Sequence, residues 1–301
     1  MNDEVRHARV CVILPVYNGA RYLAEAIESV LAQTWSDRSI VVVDDGSTDE
    51  SAEIASGFPE VRVIRQANAG VSAARNRALR ETRSEYVVFL DSDDRLLPQA
   101  LLVGVSLLDA SPELGFVFGF NELIDASGQR FGRSREPLAK ADFLTLLAGE
   151  GLVPPASAVF RRSALERVGG FDTRLRIAED HELYLRIALE FPIHCHNQVV
   201  VQYRTHGANV STQSAALTLD GVLTAMKLRQ PAIRGNRERE AAYRAGRRHW
   251  IGLFGPGLSY DFVRNAKAGQ LRLAAKSLVM LLALYPRGIA SYAMDHLRRL
   301  R

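Results

Sequence analysis

Three carboxylates crowd into four residues at the end of an apolar run. Residues 86–90 read YVVFL, and Asp91, Asp93 and Asp94 follow at once in the stretch DSDD. Like charges this close repel, and none is cheap to desolvate, so the run points to something positive held at a strand end. Two carboxylates one residue apart can aim at one divalent cation. Oxygen ligands suit Mg²⁺ or Mn²⁺, which keep several waters and bind a substrate diphosphate. The bland alternative is a turn of solvated aspartates. A second acidic run, DDGS from Asp44, follows the apolar stretch SIVVV. A third acidic pair, Glu179-Asp180, opens the segment EDHELYLRIA. A positioned carboxylate can take the proton of an attacking hydroxyl, although acids in a first helical turn are also favoured for capping alone.

The elements that must position these groups are legible from periodicity. RVCVILP (9–15), SIVVVDD (39–45), VRVIRQ (61–66) and YVVFLD (86–91) are short apolar runs of the buried-strand kind. Between them, 19–34 carries Leu23, Ala26, Ile27, Val30 and Leu31 at helical spacing. STDESAEIA opens a helix with a Ser or Thr cap, and 71–83 is helical through Ala73, Ala74, Ala78 and Leu79. Pro98 starts a further helix. Continuous apolar strands alternating with amphipathic helices imply a parallel sheet covered on both faces. In such sheets ligands bind beyond the carboxyl ends of the strands, and three of those ends are PVYN, DDGS and DSDD. Topology alone brings the acids to one edge. Farther on, LGFVFGF, PASAVFRRS and 194–204 read as strands, 139–148 and 178–190 as helices, and GGFD (169–172) as a turn. From about 213 the chain is helical and basic, with a break at Gly255-Pro256-Gly257.

Composition fits a globular protein of 301 residues, 47% hydrophobic and 24% charged. The net charge of +4 hides an asymmetry. Residues 234–301 carry 14 Lys/Arg against 4 Asp/Glu, whereas residues 1–233 carry 24 against 30. A basic tail on an acidic body suggests an anionic neighbour. The only cysteines are Cys11, inside a strand pattern, and Cys195, which suggests a reducing compartment rather than a disulfide scaffold. The first ten residues lack an apolar signal core, so export is not expected. The longest apolar run, 277–285, is about half of what crosses a bilayer.

The succession PVYN, QTW, VVVDDGSTD, NAGVSAARN, FLDSDD, GGFD, ED and YRTH resembles the inverting nucleotide-sugar glycosyltransferases of family 2, which have the GT-A fold. The resemblance covers about residues 8–210. It implies an α/β GT-A catalytic domain over 8–210, Rossmann-like with a mostly parallel sheet; the helical, basic remainder, 211–301, reads as a C-terminal extension. It also implies roles. Pro15, Val16 and Tyr17 would line the nucleobase and ribose pocket, and Asp45 would accept from the base's ring N–H while Asp44 braces the loop. Arg75 would fork onto phosphate or hold a carboxylate. Asp91 and Ser92 would serve the nucleotide-sugar, with Asp91 at the ribose or just behind it. Asp93 would bind the metal, Mg²⁺ or Mn²⁺, with His206 as a further ligand or diphosphate contact. Asp94 is less constrained and could cap the next segment. Asp180 would be the base of a single displacement, with a UDP-sugar as the default donor and a glycan or lipid-linked hydroxyl as acceptor, in bacterial surface polysaccharide or lipid-linked glycan synthesis.

Rival readings fare worse. A dinucleotide-binding strand would be followed by Gly-x-Gly-x-x-Gly, but LPVYNGARYL has one glycine. An aspartyl phosphatase could account for DSDD but not for PVYN and DDGS. No nucleic-acid motif accompanies the basic tail. A degenerate relative that only binds sugar nucleotides is the remaining alternative, and intact Asp93, Asp180 and Arg75 argue against it. For the tail, two expectations stand. Leu278, Leu281, Leu282 and Tyr285, with Lys276 and Arg287 nearby, form a helix face. It either meets the anionic cytoplasmic face of a membrane or packs on the catalytic domain or a second copy.

Overall fold

The computed structural model describes residues 8–133, 138, 140–150, 154–207 and 214–289. The described residues divide into two compact units. One runs to Phe143 and takes in the stretch up to His206; the other joins Leu144–Glu150 to the chain from Gly207 onward. The expected boundary at 210/211 lies outside the described residues.

In the first unit, strands β1 (Val10–Val16), β2 (Arg38–Asp44), β3 (Val61–Arg65) and β4 (Tyr86–Phe89) are parallel neighbours in the order β3-β2-β1-β4. Every residue of β1 is buried, as a strand covered on both faces requires. Helices α1 (Ala20–Leu31), α2 (Ser51–Ser56) and α3 (Val71–Glu81) connect them, and α4 (Ala100–Ala110) follows β5 (Arg95–Leu96). The core joins Val10, Val12, Leu14 and Val16 to Leu23, Ile27 and Val30 of α1, and reaches Leu101, Val105 and Leu108 of α4. Cys11 is fully buried in β1 and Cys195 is buried too, both as free thiols.

Beyond β4 the sheet becomes mixed. β6 (Phe116–Ile124), β7 (Arg130–Arg133), β8 (Ala158–Arg161) and β9 (Ile193–Arg204) extend it in the order β4-β8-β6-β9-β5, with β7 on β6. β8 runs antiparallel to both β4 and β6, whereas β9 runs parallel to β6. The short strands β5 and β7 have no signature of their own in the sequence. The expected Ser or Thr cap on α2 is absent: Glu50 stands at the cap, and Asp49 Oδ1 instead accepts from the Ser51 backbone N–H and hydroxyl at 3.1 and 2.6 Å. Helix α5 is shorter than expected, Phe143–Leu147. Helices α6 (Arg162–Val168) and α7 (Glu179–Glu190) flank the GGFD turn.

The second unit holds helices α8 (Ala215–Leu228), α9 (Gln230–Ile233), α10 (Arg237–Phe254), α11 (Gly257–Lys267) and α12 (Leu271–Leu284). The break between α10 and α11 falls at the expected glycines. Asp261 of α11 accepts from the Ser214 hydroxyl and the Ala216 N–H at 2.8 and 2.9 Å, tying α11 to the start of α8. The apolar face expected on α12 is divided. Leu281 is buried with Ala274 and Ser277, but Leu282 is 54% exposed, because two adjacent helical positions lie about 100° apart. Lys276 is drawn to Asp220 at 2.6 Å. The outward positions Leu271, Val279 and Leu282 are the apolar ones. Among the described residues no helix is long and apolar enough to cross a membrane.

One packing detail bears on the site. The β6–β9 register slips between Phe118 and Phe120, and a Cβ on the intervening Gly119 would lie 2.4 Å from the Gln198 carbonyl oxygen. A backbone oxygen cannot rotate away, so Gly119→Ala should destabilise the chain by about 1–3 kcal/mol. Thermal unfolding should show a lower midpoint; an unchanged one would mean that β9, which ends at Arg204, is not held this tightly.

Candidate active site

The carboxyl ends of β1, β2 and β4 meet through backbone and side-chain hydrogen bonds. Asp45 N–H donates to Val16 O at 2.8 Å. Asn18 Oδ1 accepts from Thr48 N–H at 2.8 Å, and Asp49 Oδ2 accepts from Ala20 N–H at 3.0 Å. The residues GSTD thus stitch the second strand end to the first. Asp44, fully buried, accepts from Ser47 N–H at 2.9 Å and from Arg65 Nε at 3.0 Å. Asp45 is also buried. Its carboxylate accepts from Gln66 Nε2, Ala69 N–H and Gly70 N–H at 2.7 to 2.9 Å, so it holds the 66–70 loop and keeps limited acceptor capacity for a ligand. Pro15 and Val16 lie within the buried end of β1, and Tyr17 stands 55% exposed beside them. Ser92 Oγ rests against the start of α1, where a Cβ on Gly19 would come within 2.8 Å of it.

A single buried guanidinium ties DSDD to the Glu179-Asp180 pair. Arg75 of α3 is 2% exposed. Its Nη2 donates to Asp91 Oδ1 at 2.7 Å and its Nη1 to Glu179 Oε1 at 2.9 Å. Its Cζ lies 5.0 Å from the Phe171 ring and 6.0 Å from the Phe89 ring. Burial works against its charge, but Asp91 and Glu179 outweigh burial and keep the guanidinium more firmly protonated than usual. Of the two roles expected for Arg75, the structure places it on carboxylates: both terminal nitrogens are engaged and almost no surface remains for a phosphate. The next residue, Asn76, holds the GGFD turn by donating to Phe171 O at 2.8 Å and accepting from Phe171 N–H at 2.9 Å.

Asp180 sits in the first turn of α7. Helix α7 has no side-chain cap; its cap residue is Ala178, held at φ 63°. Asp180 Oδ1 accepts from His181 N–H at 2.7 Å. Burial first, and then the charge of Glu179, push the Asp180 carboxyl up to about 7, while the His181 N–H and Arg75 act against them. A carboxyl poised near neutral pH suits a general base.

Asp93 and His206 come together across 113 residues of sequence, with His206 Nε2 at 3.0 Å from Asp93 Oδ2. Burial and the Asp91 charge push the Asp93 carboxyl up, and the His206 contact opposes them. Among the described residues, no group of three or more His, Cys, Asp or Glu side chains is gathered to hold a metal. One carboxylate beside one imidazole still fits a cation that completes its shell with water and diphosphate oxygens. Asp94, expected to be the least constrained acid, is the most deeply buried of the three at 1% exposure. Its Oδ1 accepts from Arg204 N–H at 2.9 Å. Arg204 lies within the YRTH motif, whereas Glu25 and Tyr22, which also stand near this pair, belong to no motif in the sequence. Only the position of Arg204 two residues before His206 hints at a role.

A family model described as Glycosyl transferase family 2 matches residues 11–169. An uncharacterized glycosyltransferase of Nostoc sp. is 34% identical over 222 residues, covering 70% of this chain and 69% of that protein. An uncharacterized glycosyltransferase of Rickettsia conorii is 30% identical over 211 residues, which are 67% of this chain but 35% of the relative's length. Among solved structures, Staphylococcus aureus TarS 1-349 in complex with UDP has a TM-score of 0.65 at 18% identity, covering 95% of this chain and 92% of that one. A mannosyltransferase from Pyrobaculum calidifontis, in complex with GDP-Man and Mn²⁺, has a TM-score of 0.62 at 23% identity, covering 96% and 84%. At such identities the structural likeness speaks to the fold, which is the GT-A architecture.

The Arg75 geometry makes a statement about stability on its own. Arg75→Met would leave Glu179, 12% exposed, and Asp91, 31% exposed, without their cation. Stripping one partner from a buried ion pair typically costs 3–5 kcal/mol. Because Asp91 keeps some water, a loss of about 3 kcal/mol in urea unfolding is expected; an unchanged midpoint would show that the carboxylates find other partners.

Proposed function

Because the chain belongs to glycosyl transferase family 2, we propose that it moves one sugar from a nucleoside diphosphate donor, a UDP-sugar in the first instance, to an acceptor hydroxyl with inversion at the anomeric carbon. The observation that carries this reading is Asp180, a carboxyl pushed up to about 7 beside the Arg75–Glu179–Asp91 network. As the acceptor oxygen forms its bond to the anomeric carbon, its proton passes to Asp180. The bond from that carbon to the diphosphate oxygen breaks, and the nucleoside diphosphate leaves with the electron pair. One displacement needs one base and no enzyme nucleophile.

Pro15, Val16 and Tyr17 would border the nucleobase and ribose. Asp45 would hold the 66–70 loop against that pocket and accept from the base with its remaining capacity. Asp91 and Ser92 would face the ribose and donor sugar. Asp93 and His206 would hold Mg²⁺ or Mn²⁺, which when bound offsets charge developing on the diphosphate. The solved neighbours bound to UDP or to GDP-Man with Mn²⁺ support a donor of this class. The acceptor would be a glycan or lipid-linked hydroxyl of bacterial surface polysaccharide synthesis. The outward Leu271, Val279 and Leu282 of α12, with Arg272 beside them, suit reversible contact with an anionic membrane face. The alternative, a degenerate sugar-nucleotide-binding protein, predicts donor binding without turnover.

A donor screen that reads nucleoside diphosphate release with Mn²⁺ or Mg²⁺ tests the reaction. Asp180→Asn, which keeps the shape but removes the proton acceptor, should slow turnover by about 10²-fold or more with nucleotide affinity preserved. Near-normal turnover would exclude Asp180 as the base. The pH profile carries a sign. A carboxyl that titrates at about 7 is protonated and inactive as a base below that pH, so kcat/KM should rise through an acid limb near 7. A limb near the ordinary carboxylate range would contradict the assignment. Asp93→Ala or excess EDTA should abolish turnover, and full activity under either would remove the metal from the mechanism.

A further inference from the structure

The two residues read above as metal ligands approach each other from distant parts of the chain, and the same buried side chain stands behind both. Arg204 closes β9 with 1% of its side chain exposed. Its Nε donates to the Asp93 carbonyl at 2.9 Å, and its backbone N–H donates to Asp94 Oδ1 at 2.9 Å. One residue therefore grips the backbone of Asp93 and the side chain of the following acid. Its Nη2 donates to Glu25 Oε2 at 2.7 Å, and its Nη1 lies 3.3 and 3.4 Å from the carbonyl oxygens of Asp125 and Ala126. Every guanidinium nitrogen thus has an acceptor, so the planar fork is fixed.

The link to His206 runs through Tyr22, in the first turn of α1. The Arg204 Cζ lies 4.3 Å from the Tyr22 ring centroid, and the Tyr22 and His206 rings lie 5.3 Å apart at 31°. Glu25 stands three residues beyond Tyr22 on the same helix, so α1 supplies both the anion that anchors the guanidinium and the ring that meets the imidazole. The Tyr22 hydroxyl is buried without a hydrogen-bond partner. The contact Tyr22 offers is its ring face.

We propose that Arg204 and Tyr22 form a positioning unit that sets Asp93 and His206 at the spacing a divalent cation requires. The inference rests on the metal reading of Asp93 and His206 given above. A ligating imidazole and carboxylate keep their orientation through the groups behind them, and losing such a group typically weakens metal affinity by 10–100-fold. Here those groups are a guanidinium holding the Asp93 backbone and an aromatic ring against the His206 imidazole. Glu25 is shared between Arg204 and Arg95, so one carboxylate of α1 anchors two guanidinium groups.

The test is Mn²⁺ binding to the full chain, followed by the electron paramagnetic resonance signal of the free ion, with Mn²⁺ alone and with UDP added. Circular dichroism checks the fold of each variant. Arg204→Lys keeps the charge and loses the fork; Tyr22→Leu keeps apolar bulk and loses the ring; Tyr22→Phe keeps the ring and loses only the unpartnered hydroxyl. Arg204→Lys and Tyr22→Leu should bind Mn²⁺ about 10–100-fold more weakly, while Tyr22→Phe retains the wild-type affinity. If Arg204→Lys does not fold, Tyr22→Leu decides the matter. Folded Tyr22→Leu with wild-type Mn²⁺ affinity would overturn the proposal, provided Asp93→Ala loses binding. Equal losses in Tyr22→Phe and Tyr22→Leu would overturn it too, because the hydroxyl would then be the active group. If Asp93→Ala keeps wild-type affinity, the metal reading itself falls and takes this inference with it.

Discussion

The buried guanidinium of Arg75 is the interaction on which the rest of the site depends. Asp91 and Glu179 belong to segments that share no local structure, and each would repel the other acids around it. One planar cation with two donating nitrogens converts that repulsion into a fixed geometry. Phe171 and Phe89 wall the guanidinium in, which lowers the local polarity and strengthens both ion pairs. Asp180 stays outside this exchange. It feels the charge of Glu179 and its own burial more than the help of Arg75, and its carboxyl is lifted accordingly. The same network therefore keeps Asp91 and Glu179 in place and leaves their neighbour able to carry a proton near pH 7.

A second cation plays the corresponding part on the other side of DSDD. Arg204 engages the backbone of Asp93 and the carboxylate of Asp94, and it pairs with Glu25, which Arg95 shares. An apolar strand can run directly into three carboxylates because two of them, Asp91 and Asp94, are already bonded to arginine-bearing segments. The remaining one, Asp93, faces His206. The acidic edge is thus asymmetric: Asp91 and Asp94 bond to arginine-bearing segments, and Asp93 meets an imidazole. That division suits a site in which a charged ligand must meet a defined carboxylate rather than a diffuse negative surface.

The loops that border the edge follow the same economy of roles. Asp49 and Asn18 close the turn after β2 onto the turn after β1, Asp44 braces the turn after β2 from within, and Asn76 clamps the GGFD turn to α3. Residues that look like candidate ligands by type alone are in these cases hydrogen-bonding the backbone. The helical unit from Ser214 onward is organised by Asp261 and by the buried Leu281, with Leu271, Val279 and Leu282 exposed on α12.

What the sequence determined by itself is whatever depends on short-range pattern. The apolar runs before Pro15, Asp44 and Leu90 specify buried strands, the helical spacing of Leu23, Ile27 and Val30 specifies the helix between the first two, and alternation of the two specifies parallel pairing. These features alone place PVYN, DDGS and DSDD at one edge. The motif order also sufficed to recognise the family. Tertiary structure decided which polar groups face each other, because partners such as Arg75 and Glu179, or Asp93 and His206, lie about a hundred residues apart, and no local periodicity encodes their distance. Of the two roles open to Arg75 it selected the carboxylate clamp; it also buried Asp94 and split Leu281 from Leu282. It also introduced Arg204, Tyr22 and Glu25, whose residue types are ordinary. Their importance arises only when β9 and α1 bring a guanidinium, a ring and a carboxylate into contact, where burial makes every unpaired charge costly and leaves the chain few arrangements that pair them all.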